Sequence, residues 1–516
     1  MKKTLTSFLF PRVGWPNGFF SFLLPLFGRP NGFFSSLLLL FCWLNGFSQP
    51  GDQYPPEVQA RIKQVEQGLS GRFLVKDVPK HTLKERMAFY HINGLSIAVI
   101  HNYRIEWAKG YGWADSADQR PVTTQTLFQA ASISKSLNAV GVLKLVQDGR
   151  LNLYTDINKY LTTWKFPYDS LSKGKKITVA NLLSHTAGLT IHGFPGYSRG
   201  DTLPTLQQIL DGRRPANTGA VRSMYEPGIK SEYSGGGTTI TQLIVMDITH
   251  ERYDKFMQDN VLKPLGMNSS FYTQPAPPDK RALLATAYHN DGKEVVGKYH
   301  IYPEEAPAGL WTNPTDLSQY IIETQNSYAG RSAKVLTQEY TKLRLSPYVD
   351  SSAALGVFVS KIGADTYFQH GGANEGFRSQ YYGSIDGGNG VVVMVNSDNG
   401  GILQEVVGSV AVVYGWKGFY EPEVKKVFPL QPAQLKTYEA RFKYRGANEL
   451  YLTVSAKSDR LEILQEWDGQ KVDFLPGSST AFFSPDAGIE IKFIRSDDGS
   501  INALSIFDRD FFDKVQ

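Results

Sequence analysis

Apolar residues recur with two different periods along this chain, which predicts that it contains both helices and strands. An amphipathic N-terminal helix is predicted by four apolar residues at helical spacing: Val58, Ile62, Val65 and Leu69. Two strands are predicted at "LSIAVI" (95–100) and "RIEWAKGYG" (104–112), joined by the short turn "HNY". Between about 132 and 249 the spacing is mainly helical, and the connections are rich in Gly, Pro and Ser.

Strands return in the second half of the chain. Four stretches are predicted as strands: 354–361, 366–370, 378–385 and 390–397. A further apolar helix is predicted from about Ile402 to Val413. Strands at both ends of a segment with helices between them predict one antiparallel sheet, flanked by helices. We therefore expect an α/β (α+β) fold over this part of the chain.

The C-terminal part has a different pattern. The stretch "EPEVKKVFPLQPAQL" (421–435) carries three prolines and is predicted to be a linker. Beyond it, apolar and polar residues alternate around 450–454 and again around 489–493, which predicts strands. A small all-β domain of about 80 residues is therefore expected at the C-terminus, since this length lies within the usual domain range.

The first 48 residues predict an export signal. Lys2, Lys3 and Arg12 supply positive charge, an apolar run spans 33–44, and "GFS" before Gln49 is typical of a cleavage site. The alternative is an uncleaved membrane anchor, which would give membrane association through this segment alone. The predicted organisation is a signal peptide (1–48), a helical extension (49–84), a main domain (85–418), a linker (419–435) and a β domain (436–516).

Composition excludes several classes of function. Of 516 residues, 41% are hydrophobic and 20% are charged, which is typical of a folded protein. The formal net charge of +5 is spread over a long chain, so we expect no nucleic-acid partner. Cys42 is the only cysteine, and the nine histidines form no HExxH motif. We therefore expect no metal and no cofactor, and a small molecule or a peptide as substrate.

Two serines compete as the nucleophile of a hydrolase. Ser198 lies in the G-x-S-x-G motif "GYSRG", but this motif requires a buried strand before the serine, and "LTIHGFP" is predicted to be a loop. Ser132 begins the S-x-x-K motif "SISK", which places Lys135 on the same face of a predicted helix. A nearby ammonium group favours the anionic form of its neighbours, which activates a hydroxyl. The alternative role of Ser132 is to cap a structural helix.

Further stretches indicate a family. The chain resembles the serine β-lactamase and penicillin-binding protein superfamily, in particular its class C β-lactamase-like branch (peptidase family S12). The resemblance covers about 85–418 and depends on stretches in family order: "GLSIAVI", "FQAASISKS", "LLSHTAGL", "EPGIKSEYSGG", "PLGMNSSF", "APAGLWTNPTDL" and "HGG". It implies a β-lactamase/transpeptidase-like fold and an acyl-enzyme mechanism.

The resemblance also implies catalytic roles. Ser132 matches the acylated nucleophile, and Lys135 matches the lysine that depresses neighbouring pKa values. Tyr233 matches the tyrosine of the Y-x-N element and would act as general base, with cationic Lys135 stabilising its phenolate. His185 of "SHTAGL" is expected to brace a loop through hydrogen bonds.

The substrate-binding groups are likewise implied by position in the family motifs. His370 matches the first residue of the K-T-G/H-x-G element and would orient the substrate. Gly371 and Gly372 would let the substrate backbone approach the strand closely. The backbone amides of Ser132 and Ala373 would form the oxyanion hole.

One position departs from the family pattern. The Asn of Y-x-N is replaced by Gly235, which removes a group that holds the substrate amide. The sequence therefore predicts an exported serine hydrolase that cleaves an ester or an amide. The alternatives are a D-alanyl-D-alanine carboxypeptidase or a β-lactamase proper, and a weakly catalytic binder or sensor of cell-wall peptides.

Overall fold

The computed structural model of the protein describes residues 54–446 and 449–515. The predicted export signal (1–48) lies outside the described residues and stays a prediction. Within the described ranges, no helix combines the length and the apolar character needed to cross a membrane.

Helices and strands alternate over residues 56–435, and the described chain from 440 onward forms strands. The helices are α1 (Pro56–Glu66), α2 (Leu83–Phe89), α3 (Ser134–Gln147), α4 (Val179–Leu183), α5 (Leu206–Asp211), α6 (Gly235–Thr249), α7 (Tyr253–Met257), α8 (Lys263–Leu265), α9 (Glu305–Ala308), α10 (Pro314–Tyr328), α11 (Gln338–Arg344), α12 (Gly401–Val413) and α13 (Pro432–Leu435). The strands up to the C-terminal region are β1 (Phe73–Val75), β2 (Gly94–His101), β3 (Arg104–Asp115), β4 (Arg120–Pro121), β5 (Phe128–Gln129), β6 (Trp311–Thr312), β7 (Phe358–Ile362), β8 (Asp365–Asn374), β9 (Phe377–Ser384), β10 (Gly390–Val395) and β11 (Glu423–Lys425).

A seven-stranded sheet forms the centre of the main domain, in the order β4-β3-β2-β10-β9-β8-β7. Each neighbouring pair in this sheet is antiparallel. The central strands β2 and β10 are buried on both faces, with Val393 opposite Ile97, which explains their continuous apolar sequence. The predicted antiparallel sheet built from both ends of the segment is therefore confirmed.

Helices cover both faces of this sheet. Val391, Val393 and Val395 of β10 pack in one hydrophobic cluster with α1 and α12, whereas Val392 and Met394 pack on the other face with α3, α6 and α10. Alternate residues of a strand point to opposite faces, so one apolar strand contributes to both cores. The predicted fold of helices flanking an antiparallel sheet is confirmed.

One predicted strand begins later than expected. The apolar stretch from 354 predicted a strand, but β7 starts at Phe358. Gly356 has φ +77°, and a Cβ atom there would lie 2.3 Å from Cβ of Ala139 in α3. The chain therefore turns here in a conformation that glycine tolerates and that lets it pass close to α3.

The predicted linker contains regular structure. Within 419–435, β11 pairs in parallel with β1, with Glu423 opposite Phe73, and α13 follows it. The helical extension before residue 85 likewise contains β1. Long-range pairing of two short strands leaves no periodic pattern in either segment, so the sequence did not reveal it.

The C-terminal region is a closed antiparallel barrel of eight strands. They are β12 (Ala440–Tyr444), β13 (Tyr451–Ala456), β14 (Leu461–Gln465), β15 (Lys471–Pro476), β16 (Ala481–Ser484), β17 (Ile489–Arg495), β18 (Ile501–Ile506) and β19 (Asp510–Lys514). Strands β12 and β19 close the barrel, with Phe442 opposite Lys514. Alternate residues fill its interior, including Phe442, Phe493 and Phe512. The predicted C-terminal all-β domain is confirmed.

Candidate active site

Ser132 lies on a tight turn immediately before the central helix. It belongs to a 3-10 turn over Ala131–Ile133, and α3 begins two residues later, at Ser134. Ala131 has φ +51°, a strained value for a residue with a side chain, and Ala131 and Ile133 are both buried. Ser132 is partly exposed and makes no helix-capping hydrogen bond. The turn thus presents its hydroxyl at the surface of a site instead of using it as a cap.

Lys135 is buried and aimed at Ser132. Its ammonium Nζ lies 3.0 Å from Ser132 Oγ and 2.9 Å from the carbonyl oxygen of Pro307, to which it donates a hydrogen bond. Burial lowers the pKa of Lys135 to about 7, because the charged form has lost its hydration. A lysine with this pKa is half deprotonated near neutral pH and can accept a proton there.

Tyr233 completes the cluster around the serine. It lies in the loop just before α6, its side chain hydrogen bonds with Ser132, and Lys135 Nζ lies 5.0 Å from the centre of its ring. Burial raises the pKa of Tyr233, and the hydrogen bond with Ser132 opposes this only in part. The expected phenolate is therefore not favoured in this environment, and the neutral phenol is the stable form.

Strand β8 brings His370 to the same site. His370 is buried within the strand, and its Nδ1 lies 2.6 Å from the carbonyl oxygen of Gly371, while its Nε2 is buried and finds no hydrogen-bond partner within 54–446 and 449–515. The pKa of His370 is lowered to about 3 by burial and by the charge of Lys135, with the Gly371 hydrogen bond opposing. His370 is therefore a neutral imidazole at physiological pH.

Gly372 lets strand β8, which carries Ala373 of the predicted oxyanion hole, pack against the turn that carries Ser132. A Cβ atom at Gly372 would lie 2.2 Å from the carbonyl oxygen of Ala130, two residues before Ser132. The close approach at this glycine is therefore to the protein's own backbone, whereas we expected it to be to the substrate. At Gly371 the nearest atom would be Oε1 of Gln380, at 2.9 Å. The result is that Ala373 follows directly after the point where β8 meets the turn.

Sequence reasoning missed two aromatic neighbours of Tyr233. The His192 ring lies 4.8 Å from the Tyr233 ring, and the Phe358 ring lies 5.4 Å from His370 and 6.4 Å from Tyr233. His192 lies in "LTIHGFP", next to the unused G-x-S-x-G motif, and nothing in the local pattern relates it to Ser132. Pro307 was also missed as the acceptor for Lys135, although its stretch "APAGL" belongs to the family pattern.

His185 braces the tyrosine loop, as predicted. Its Nδ1 accepts a hydrogen bond of 3.2 Å from the Ser234 amide, and its carbonyl oxygen accepts one of 2.7 Å from the Glu232 amide. Its ring lies 4.2 Å from the ring of Tyr233. The pKa of His185 is lowered well below its ordinary value, first by burial and then by Lys135, so it is a neutral acceptor.

The loop 191–194 occupies the neighbourhood of Gly235. The Gly235 amide donates to the carbonyl oxygen of His192 at 3.0 Å, and a Cβ atom at Gly235 would lie 3.1 Å from that oxygen and 3.1 Å from the Phe194 ring. Gly235 is the first residue of α6 and does not have a positive φ. Its backbone would therefore accept a side chain, but the surrounding loop leaves little room for one.

Ser198 is not on a nucleophile elbow. Its amide donates to the carboxylate of Asp201 at 2.9 Å, and its carbonyl oxygen accepts from the Asp201 amide at 3.1 Å, within an irregular segment. None of the strands β1–β19 ends directly before Ser198, and none of the helices α1–α13 begins directly after it. The prediction that Ser198 lies in a loop is confirmed.

One cluster outside this site brings possible metal ligands together. Within the described residues, ligand atoms of His289, Glu375 and Asp398 lie within 4.8 Å of one another. Asp398 is already paired with Arg378 at 3.0 Å and accepts from the Gly376 amide at 2.8 Å. These contacts explain the position of the Asp398 carboxylate without a metal ion, as part of an ion-pair network beside the β8–β9 turn.

Comparison with known proteins identifies the family of the main domain. The Beta-lactamase family profile matches residues 80–405, which is more than half of the chain. Protein flp of Staphylococcus aureus (strain N315) is 26% identical over 254 residues, covering 49% of this chain and 49% of that protein. A Beta-lactamase of Pseudomonas fluorescens is 27% identical over 264 residues, covering 51% of this chain and 68% of that protein. The match with the staphylococcal relative thus spans about half the length of that protein.

Solved structures share the fold. The octameric penicillin-binding protein homologue from Pyrococcus abyssi superimposes with a TM-score of 0.59 at 20% identity, covering 83% of this chain and 98% of that one. The penicillin binding protein from Bacillus halodurans gives a TM-score of 0.51 at 19% identity, covering 65% and 99%. The narrower class C assignment stays a prediction. The chain belongs to the beta-lactamase family, and its main domain has the fold of the penicillin-binding-protein-like serine hydrolases.

Proposed function

We propose that this protein is an exported serine hydrolase that cleaves an ester or an amide through an acyl-enzyme on Ser132. The observation that carries the proposal is the 3.0 Å contact between Ser132 Oγ and Nζ of Lys135, a buried lysine whose pKa is lowered to about 7. A serine hydroxyl needs a neighbouring base to become a nucleophile, and this lysine is a base at neutral pH.

Lys135 and Tyr233 divide the proton transfers in this mechanism. Neutral Lys135 accepts the proton of Ser132 as Oγ attacks the substrate carbonyl carbon. Tyr233 stays a phenol, because its pKa is raised by burial, and it relays a proton to the leaving group through its hydrogen bond with Ser132. This reverses the division of roles that the family resemblance implied, in which Tyr233 is the base.

The tetrahedral intermediate would be stabilised by the amides of Ser132 and Ala373. Each donor of an oxyanion hole contributes roughly 3 kcal/mol to the transition state. Gly372 supports this role, because it holds β8 against Ala130 and so keeps Ala373 beside the nucleophile turn. Lys135, whose proton has left with the leaving group by way of Tyr233, then accepts a proton from a water molecule that attacks the acyl carbon. It passes this proton to Ser132 Oγ as the bond from Oγ to the acyl carbon breaks.

A serine-reactive fluorophosphonate probe tests the nucleophile. Wild-type protein should be labelled at Ser132, Ser132→Ala should lose the label, and the matched control Ser198→Ala should keep it. Labelling that survives Ser132→Ala would overturn the mechanism. Turnover of the acyl-enzyme separates an enzyme from a peptide sensor, since a sensor would stay acylated after a single burst.

Export is tested separately, on the protein from its native host. Mass spectrometry should place the mature N-terminus at or near Gln49. Intact peptides from residues 16–47 would instead support an uncleaved anchor.

A further inference from the structure

We propose that the active site selects uncharged esters, and that it discriminates against substrates with a carboxylate beside the scissile bond. This inference rests on the proposed function and names its substrate class. A carboxylate that leaves water for a protein site must recover its lost hydration from a cation or from several donors. The question is therefore which side chain near Ser132 could supply a fixed positive charge.

His370 does not supply one. It stands where the family pattern has Lys or His, but its Nε2 is buried with no partner among the described residues, so no group of the protein stabilises a proton there before substrate binds. The ring is also buried, and the ammonium of Lys135 repels a second positive charge. Donation from Nδ1 to the Gly371 carbonyl is satisfied by the neutral form alone.

Lys135 is not available either. Its ammonium already contacts Ser132 and the carbonyl of Pro307, and its side chain is buried beneath the nucleophile turn. A carboxylate bound to it would also stabilise the ammonium form, which would remove the base that the mechanism needs. Lys135 therefore cannot both act as the base and bind a substrate carboxylate.

Three basic side chains on the segments that carry or adjoin the site residues have partners elsewhere. Arg199 donates to the carbonyl of Gly297, Lys230 faces Glu232 at 3.4 Å, and Arg378 is bound to Asp398. The rings that lie around Tyr233 are those of His185, His192, His370 and Phe358. Burial lowers the pKa of His185, His192 and His370, so these imidazoles hold no fixed positive charge. The ring faces beside Tyr233 therefore suit an uncharged group better than a carboxylate.

The reaction balances without a further reactant. Ser132 Oγ forms a bond to the acyl carbon, the bond from that carbon to the alcohol oxygen breaks, and the serine proton leaves with the alcohol by way of Lys135 and Tyr233. Water then adds its hydroxyl to the acyl carbon and returns its proton to Ser132. The products are a carboxylic acid and an alcohol.

The test compares two substrates that differ in one charge. The same N-acetylated amino acid is esterified either to 3-hydroxybenzoate or to methyl 3-hydroxybenzoate, so the leaving groups have similar shape. We expect kcat/KM to be at least about 10-fold higher for the methyl ester, the ratio that one lost ion-pair contact of ordinary strength would give. His370→Lys should raise the relative rate of the carboxylate-bearing ester by a similar factor.

The outcomes separate the two proposals. Equal or faster turnover of the 3-hydroxybenzoate ester by wild-type protein would overturn the substrate class. If protein that the fluorophosphonate labels at Ser132 hydrolyses neither ester, the substrate class would also be overturned. Ser132 would remain supported as the nucleophile. Loss of Ser132-dependent labelling would overturn the proposed function and this inference with it.

Discussion

In the main sheet, β8 is paired on its outer side only as far as Gln369, whereas each strand of the barrel has a neighbour on both sides. The stretch 370–374, which carries His370 and Ala373, thus keeps an open edge beside Ser132. A closed barrel has no such edge, and open edges are where an extended ligand can add to a sheet. The contrast suggests why the chemistry is located in the open sheet.

The two regions also differ in their charged groups. The main domain buries Lys135 and His370 with strongly displaced pKa values, and it buries Glu304, whose pKa is raised to about 8 by burial. The barrel instead carries exposed ion pairs, such as those of Arg445 with Asp513. Perturbed groups cluster at functional sites, and exposed pairs contribute little energy. The barrel is therefore expected to tolerate charge changes that the main domain does not.

The largest expected effect comes from the contact that joins the two regions. Arg86 of α2 is buried, pairs with buried Glu405 of α12 at 2.6 Å, and reaches Asp486 in the β16–β17 turn at 2.6 Å. Arg86→Ala would leave Glu405 buried without an opposite charge and with the Tyr90 hydroxyl as its remaining donor, at 2.7 Å, and breaking a buried pair in this way costs about 3–5 kcal/mol. Denaturant unfolding measures this loss, and a new separate transition would show that the barrel had been uncoupled.

Asp486→Asn is the matched control for this experiment. Asp486 is 43% exposed, so its share of the network should be below about 1 kcal/mol. An Arg86→Ala protein within 1 kcal/mol of wild type would mean that the barrel is held by other contacts, such as those of Phe73 with Phe483 and of Lys425 with Glu490.

The next largest effect is expected at Lys135, the proposed base. Lys135→Met should lower the rate of fluorophosphonate labelling by at least ~10²-fold, the contribution of a positioned proton-transfer group. In wild type the rate should rise as pH increases through about 7, because Lys135 is a base only after it loses its proton. Tyr233→Phe should slow hydrolysis of an unactivated ester by at least ~10²-fold, because the leaving alcohol needs a proton, but it should keep this midpoint. A midpoint near 7 that persists in Lys135→Met would exclude Lys135 as the titrating group.

The parts of the site that sequence predicted are those that depend on local spacing. Ser132 and Lys135 are three residues apart, and one turn of helix is enough to bring them together. The contribution of Phe358 depends on how β7 pairs with β8, and that of His192 depends on how the loop 191–194 lies against α6. Such contacts between distant segments leave no signal in a local pattern. The same reason explains why β11 was predicted to be part of a linker.

A smaller effect is expected at Gly235. Gly235→Asn should shift the ratio of kcat/KM toward amides over esters with the same acyl group, by about 10-fold at most. The reason is that Asn restores a group able to hold an amide, while the 3.1 Å contacts with His192 and Phe194 limit its placement. Gly235→Ala is the control, because it adds the crowding without the amide. An equal shift in both variants would show that crowding alone is responsible.

The smallest expected effect lies inside the barrel. Gln465 of β14 is buried next to Leu452, Ile463 and a cavity of about 20 Å³, and in the part of the chain that the structure describes neither of its side-chain polar atoms has a hydrogen-bond partner. An unsatisfied buried amide costs about 1–3 kcal/mol, so Gln465→Met, which nearly conserves volume, should stabilise the protein by about 1 kcal/mol.

Whether Gln465→Met raises or lowers the free energy of unfolding shows whether the Gln465 amide has a hydrogen-bond partner in solution. The cavity is large enough for about one water molecule, and a water bound there would give the amide a partner that Met cannot replace. Thermal unfolding of Gln465→Met is compared with Gln470→Met, a less buried position that should change stability by no more than about 0.5 kcal/mol. A loss of 1 kcal/mol or more specific to Gln465 would mean that the amide is satisfied in solution. The barrel would then contain a buried polar group that contacts water, much as the main domain contains the buried His370 beside the proposed nucleophile. The two regions would differ in the number of such groups and not in kind.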